Sequence, residues 1–343
     1  MPETRILSVD EEDMKTAVGE AVALLAAGEI VAVPTETVYG LAADAFNADA
    51  VAKVFAAKER PAFDPLIVHI SSLKELAEVA ELPEDIAGVV KSLAGAFWPG
   101  PLTIVLPKTD KVPDLVTSGL PTVAVRQSGS VIFRNIGKAL GRPIAAPSAN
   151  RFGRISPTSA GAVMKELDGR IPLIIDGGAC REGIESTIVK IESRGEQRPL
   201  IHVLRAGPVT KEELQKFGKV VIEKRVTDQP DAPGQLESHY APRTPLLMFE
   251  KPEDFRPEPG KKYGLLSYRG DPKAGYMDLH EWEVVEELSP GSGKLIEAAV
   301  RLFYVMRFLD EQGLDAIVAE PVSETGLGVA IMDRLRRAAV SQG

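Results

Sequence analysis

The chain reads as an α/β protein in two parts, a first domain over residues 1–218 and a smaller one over 244–343, joined by a linker over 219–243. Three observations predict this. Short apolar runs that suit buried strands alternate with segments of helical period through the first two hundred or so residues. Those runs end in loops of hydroxyls, amides and cations, where open α/β sheets place ligand groups. From Lys219 to Arg243 no hydrophobic period is sustained, and Pro230, Pro233 and Pro242 accompany Gly234, the composition of a linker. Strand and helix signals then resume for about 100 residues, close to the usual minimum for an independent core.

The elements follow in order. Asp13 to Ala27 has helical spacing, with Gly28 as its stop. Ile30 to Val33, bounded by Pro34, is a buried strand leading into the polar loop Thr35-Glu36-Thr37-Val38-Tyr39-Gly40. A second helix, capped by Asp49, finishes at Lys58-Glu59-Arg60, because Pro61 disfavours helical geometry at Arg60. Lys58 and Arg60 then sit where the helix dipole favours cations, so they read equally as capping charges or as ligand groups. Pro65 to Ile70 is a strand whose His69 suits the core as well as a site. Leu73–Ala80 and Glu84–Phe97 are helical, Trp98 to Pro101 is a turn, and Leu102–Leu106 is a strand. Thr122 to Val125 delivers Arg126 at its end. A helix over Val131–Leu140 stops at Gly141, and Ile144 to Pro147 leads to Ser148 and Asn150. Ser156 or Thr158 caps a helix through Leu167. Strands follow at Leu173–Ile175, Ser186–Ile191 and Leu200–Leu204, the last reaching Arg205. In the second domain, Leu246–Phe249, Tyr263–Leu266 and Ala316–Ala319 read as strands, and Lys294–Gln312 and Glu324–Ala339 as helices.

Charge narrows the function. The 343 residues carry 40 Lys+Arg against 49 Asp+Glu, which argues against a dedicated nucleic-acid binder. Against that background, Leu115 to Lys165 holds seven basic residues and no Asp or Glu. Such a reversal suits a focused site for a phosphate-bearing ligand, or a solvated basic face; charge alone leaves both open. The single cysteine, Cys180, excludes an internal disulfide and fits a reducing compartment. No signal-peptide pattern or membrane-length apolar run is present, so cytoplasm is expected. Gly291-Ser292-Gly293-Lys294 resembles part of a phosphate loop. Leu288 stands at its first glycine position and Leu295 at its Ser/Thr position, which rejects it. Four histidines without metal spacing leave any metal to arrive with the ligand, as Mg²⁺ on phosphates. The strand-end residues Thr37, Lys58, Arg60, His69, Arg126, Ser148, Asn150, Ser186 and Arg205 are the inventory of phosphoryl or nucleotidyl transfer, where catalysis is mostly positioning and charge stabilisation.

Five stretches then carry a resemblance: Pro34-Thr35-Glu36-Thr37-Val38-Tyr39-Gly40-Leu41, Lys58-Glu59-Arg60-Pro61 with Pro65-Leu66, Trp98 to Thr103, Val123-Ala124-Val125-Arg126, and Ala146-Pro147-Ser148-Ala149-Asn150. In this order they resemble the YrdC-like domain of threonylcarbamoyl-AMP synthases. Arg205-Ala206-Gly207, His239-Tyr240-Ala241-Pro242 and Gly326 to Arg334 resemble the long, two-domain form. The resemblance implies a YrdC-like open twisted mixed sheet with flanking helices, followed by a smaller Rossmann-like α/β domain. It implies a reaction in which L-threonine, bicarbonate and ATP give L-threonylcarbamoyl-adenylate and pyrophosphate. The product would pass to the machinery that modifies adenosine 37 of tRNA, without stable tRNA binding. By the same resemblance Arg60, Asp64, Thr122, Ser148, Asn150, Ser156 and Arg205 belong to the ATP side. Thr37, His69, Arg126, the Ala146 backbone and Ser186 belong to the threonine side. Lys58 and Arg60 would neutralise charge building on the phosphates. The chain departs from the family pattern at Asp64, commonly Asn, at Gln127-Ser128-Gly129, where a proline-bearing segment is usual, and at Gln235, commonly Met. The proline-restrained linker is expected to close over the nucleotide with His239 and Tyr240. The competing expectation is a non-catalytic RNA-binding protein of the same fold.

Overall fold

The computed structural model describes residues 3–9, 13–223, 239–249 and 251–340. These fall into two compact units. The first comprises described residues within 1–152, 157–181 and 185–236; the second comprises 153–156, 182–184 and those within 237–343.

In the first unit the chain forms β1 (Arg5–Ser8), α1 (Met14–Ala26), β2 (Val31–Val33), β3 (Gly40–Asp44), α2 (Ala48–Lys58), β4 (Ile67–His69), α3 (Leu76–Val79), α4 (Glu84–Phe97), β5 (Leu102–Pro107) and α5 (Asp114–Thr117). It continues through β6 (Thr122–Arg126), α6 (Val131–Leu140), β7 (Ile144–Ala145), α7 (Ala160–Leu167), β8 (Leu173–Asp176), β9 (Thr187–Glu192), β10 (Leu200–Arg205), α8 (Lys211–Leu214) and β11 (Lys219–Ile222). The strands make one mixed sheet in the order β1-β8-β2-β3-β7-β4-β6-β5-β9-β10-β11.

Side-chain alternation gives the inner part of this sheet two buried faces, which is why strands such as β2, β4 and β8 read as apolar runs. Ala32, Leu41, Ala43, Ile104, Val125 and Ile174 join one core with helix residues such as Val54, Leu93 and Val163. Val31, Val33, Ala42, Leu173 and Ile175 join another with Leu25 of α1 and Phe133 of α6.

The second unit carries β12 (Leu246–Met248), β13 (Tyr263–Ser267), β14 (Val284–Glu287), α9 (Leu295–Asp310), β15 (Ala316–Ala319) and α10 (Leu327–Ala339). Its sheet is parallel throughout, in the order β12-β15-β13-β14. That matches the Rossmann-like expectation. No helix among the described residues is long and apolar enough to cross a membrane.

Several expectations need correction. Asn47, whose side chain accepts from the Asp49 and Ala50 N–H groups, caps α2, and Asp49 lies in the first turn. Ser159, in extended geometry and accepting from Ala162 N, caps α7 in place of Ser156 or Thr158. Lys219–Ile222, assigned to the linker, is β11, paired in parallel with β10. Within the linker, residues 224–238, including Gln235, lie outside the described residues.

Candidate active site

The site is built on one face of β4, β5, β6, β9 and β10. Odd and even positions separate there: Val68, Ile104, Val123, Val125 and Val189 go to the main core. Ile67, Val105, Ala124, Ile188 and Leu204 form a small apolar floor on the opposite side. Period-two alternation puts His69 on the floor side with Ile67, Thr103 with Val105, Thr122 and Arg126 with Ala124, and Ser186 with Ile188. Pairing sets them along the sheet: His69 lies opposite Arg126, and Ser186 precedes Thr187, whose N–H reaches the Pro101 carbonyl. Thr122 stands four residues before Arg126 on the same strand, about 13 Å away along it.

At the Arg126 end the polar groups interlock. Arg126 Nε donates to the Gly100 carbonyl (3.1 Å), Nη1 to Thr37 Oγ1 (3.0 Å) and Nη2 to Glu36 Oε1 (2.6 Å). The other Glu36 oxygen accepts from Ser128 Oγ at 2.6 Å. Both ion-pair partners are buried. Burial pushes the Glu36 carboxyl up, but the Arg126 charge and the bonds from Ser128 and Arg126 outweigh it and hold it at about 2. Thr37 is further set by Thr35, whose hydroxyl lies 2.9 Å from its own and accepts from its N–H. His69 packs against Phe133 with ring centroids 4.6 Å apart. Burial, reinforced by the Arg126 charge, drives its pKa down to about 3, so it is a neutral imidazole. Its Nδ1 is buried without a hydrogen-bond partner. The Ala146 N–H is taken by the Ile67 carbonyl, which fixes Ala146 beside β4.

Ser186 joins this end to Arg205. Its hydroxyl lies 2.8 Å from Thr103 Oγ1 and accepts from Arg205 Nη2 at 3.0 Å, while Arg205 Nε donates to the Ser186 carbonyl.

The cations after α2 are held differently. Glu59 adopts a left-handed conformation (φ 54°), and Arg60 N–H bonds back to the Phe55 carbonyl, closing the helix in a Schellman-type turn. Lys58 is fully buried, and its Nζ donates to the backbone carbonyls of Ser148 and Asn150. Burial, then the Arg60 charge, lowers its pKa well below the usual lysine value. Lys58 Nζ thus ties the end of α2 to the Ser148–Asn150 loop. Arg60 donates to the carbonyls of Asp64 (3.0 Å) and Pro65 (2.8 Å) and pairs with the Asp64 carboxylate at 2.9 Å. Burial raises the Asp64 pKa, against the lowering effect of Arg60, Lys58 and Arg205. Asp64 thus serves as the counter-charge of Arg60.

The structure brings together Thr37, His69 and Arg126, joins Ser186 to Arg205, and ties Lys58 to the Ser148–Asn150 loop. Ser156, His239 and Tyr240 belong to the second unit. Tyr240 is fully buried there, stacked on Phe303 and beneath Arg334. Glu36, Thr103 and Ser128 were missed from the sequence. An inventory of cations and hydroxyls does not include the one acid inside Thr35-Glu36-Thr37.

Comparison with known proteins gives the family. Residues 23–207 match the family model described as telomere recombination, whose name covers Sua5, YciO and YrdC, and residues 209–340 match the threonylcarbamoyl-AMP synthase C-terminal domain. The chain is 41% identical to the threonylcarbamoyl-AMP synthase of Pyrococcus abyssi, covering 98% of this chain and 97% of that one. It is 40% identical to that of Bacillus subtilis, over 94% and 92%. The structure of P. abyssi Sua5 complexed with L-threonine superposes with a TM-score of 0.82 at 37% identity, over 99% and 97% of the two chains. Fold and relatives define an ATP-using enzyme of the nucleotidyltransferase type. The chain belongs to the threonylcarbamoyl-AMP synthase family.

Proposed function

We propose that the site joins L-threonine, bicarbonate and ATP through a carbamate. The threonine amine adds to bicarbonate with loss of water. A carbamate oxygen then attacks the α-phosphorus, a new P–O bond forms, the bond to the bridging oxygen breaks, and pyrophosphate leaves. ATP lies over the apolar floor, with Thr122 toward one end and Arg60, Ser148, Asn150 and Arg205 around its phosphates. Ser156, His239 and Tyr240 are assigned to the nucleotide as well. Threonine sits among Thr37, His69, Arg126, the Ala146 backbone and Ser186. A neutral His69 can accept a hydrogen bond from the substrate without adding charge. Ser186, bonded to Arg205, marks where the two substrates meet. Arg60 stabilises the charge that builds on the phosphates, and Lys58 acts by fixing the loop that carries Ser148 and Asn150.

Asp64 and Glu36 are each committed to an arginine, so the donor set offers Mg²⁺ no cage. The ion is assigned to the ATP phosphates and is part of the substrate. The adenylate is passed on for threonylcarbamoylation of adenosine 37 in tRNA, and the cytoplasm is the assigned compartment, supported by the free thiol of Cys180.

The observation that carries this reading is the buried Thr37–Arg126–Glu36 network on the sheet face that also holds the Ser186–Arg205 joint. Pyrophosphate release measured with each co-substrate omitted in turn tests it. Release should require both threonine and bicarbonate, and equal release without threonine would leave only an ATP pyrophosphatase.

A further inference from the structure

We propose that Glu36 is a positioning residue that sets both the aim and the net charge of Arg126, so that the threonine end accepts a zwitterion and turns away free anions. The inference rests on the reading of Arg126 as the anchor of the threonine carboxylate.

The donor count supports the aim. A guanidinium has five N–H groups. Here one goes to the Gly100 carbonyl, one to Thr37 and one to Glu36. Among the described residues two find no acceptor, the number that a forked pair with one carboxylate uses. Glu36 is itself fixed. Its two oxygens are taken by Arg126 and Ser128, and a Cβ added at Gly129 would stand 3.1 Å from its Cδ. The carboxylate therefore has a tight seat and little room to swing. Arg126 is aimed by a group that cannot follow it elsewhere.

The charge argument is independent of the aim. Arg126 and Glu36 are both almost completely buried, side chains 4% and 6% exposed, and together they carry no net charge. A neutral pair with two spare donors suits a ligand that brings a carboxylate and an ammonium together. It gives little to an anion without its own positive charge. Without Glu36, Arg126 would be an unbalanced buried cation and would attract any small anion, including phosphate.

The test uses the full chain and steady-state kinetics. Glu36→Ala should raise the threonine KM at least tenfold and leave the ATP KM within twofold. Glu36→Gln keeps the shape and removes the charge. It should raise the threonine KM less than Glu36→Ala does, and make inorganic phosphate a competitive inhibitor against threonine, whereas the parent should be insensitive to phosphate and a parent equally inhibited overturns the charge argument. Ser128→Ala should shift the threonine KM in the same direction by a smaller factor. These last two variants decide the matter if Glu36→Ala does not fold. A threonine KM within twofold of the parent in both Glu36 variants overturns the inference. So does an equal rise in both KM values, which marks a structural role alone. Unchanged insensitivity to phosphate in Glu36→Gln overturns the charge argument. Arg126→Ala separates the two levels. If it leaves the threonine KM unchanged, the anchor reading has failed. If it raises that KM and the Glu36 variants do not, only the role of Glu36 has failed.

Discussion

The fully buried Asp64 carboxylate faces Arg60. It neutralises part of the charge that ATP would meet. Asp64→Asn should therefore lower the ATP KM, by about five- to thirtyfold for about 1–2 kcal/mol of relieved repulsion. A higher ATP KM in that variant would show that the carboxylate is needed to hold Arg60. Lys58 and Arg60 should also separate from one another. Lys58→Ala leaves two buried carbonyls without their donor, at about 1–3 kcal/mol each, so it should lower both the unfolding midpoint and the turnover. Arg60→Ala should cut turnover by about two orders of magnitude, and a variant that kept near-normal activity would reduce Arg60 to a helix cap. Two site groups shape the response to acid. His69 is depressed from 6.5 to about 3 and Glu36 from 4.5 to about 2. Each binds fewer protons folded than unfolded, so their contribution is full above pH 6.5 and is lost as pH falls, first through His69 and then through Glu36. His69→Gln should flatten the slope of urea-unfolding stability between pH 6.5 and 4.5. An unchanged slope would place the titrating group elsewhere.

Elements were legible where both faces are buried. Val31–Val33 and Leu173–Ile175 read as strands because apolar side chains occupy successive positions. β3 did not, since Gly40-Leu41-Ala42-Ala43-Asp44 is poor in β-branched residues and follows a loop motif closely. β11 was lost to the linker because only Val220 of its four residues is buried. Thr37, His69, Arg126, Ser186 and Arg205, which the structure gathers on one sheet face, were picked out through motif resemblance. Their connections were not, because Arg126 to Glu36 and Arg205 to Ser186 are long-range pairs that no local pattern encodes. The turn after β10 shows how tightly such a pair is set. A Cβ at Gly207 would come within 2.4 Å of Thr187 N and 2.7 Å of the Ser186 carbonyl carbon. Gly207→Ala should push that backbone, shift the Ser186 hydroxyl from Arg205, and cut synthesis far more than it lowers the unfolding midpoint. Activity close to that of the parent would mean that the turn yields without moving Ser186.

At the scale of the whole chain, two short stretches of the first sequence domain belong to the second unit. Ala241 N–H bonds to the Gly153 carbonyl, Arg307 Nη2 donates to the Ile155 carbonyl, and Gly183 lies so close to α9 that a Cβ would meet Val300 Cα at 2.4 Å. A chain ending after Thr227 loses every one of these partners, so it should unfold at lower urea and bind ATP weakly, with Ser156 on a released segment. A stable fragment with full synthesis would show that these contacts are dispensable. Testing the linker by replacing His239 and Tyr240 together with Ala is confounded, since removing a fully buried aromatic costs about 3–5 kcal/mol whatever it does for ATP. Tyr240→Phe keeps the stack on Phe303 and asks only about the hydroxyl; it should leave stability nearly unchanged and raise the ATP KM if that hydroxyl serves the nucleotide. An unmoved ATP KM would assign Tyr240 to packing alone. The same two borrowed stretches constrain how the protein can be recombined. A chimera spliced once, between residues 207 and 209 where the two family models part, would separate Gly153–Ser156 and Glu182–Ile184 from the surface they grew up with. A working exchange of the second module has to transplant three pieces of sequence together, and homologous shuffling should recover functional hybrids only when all three come from one parent.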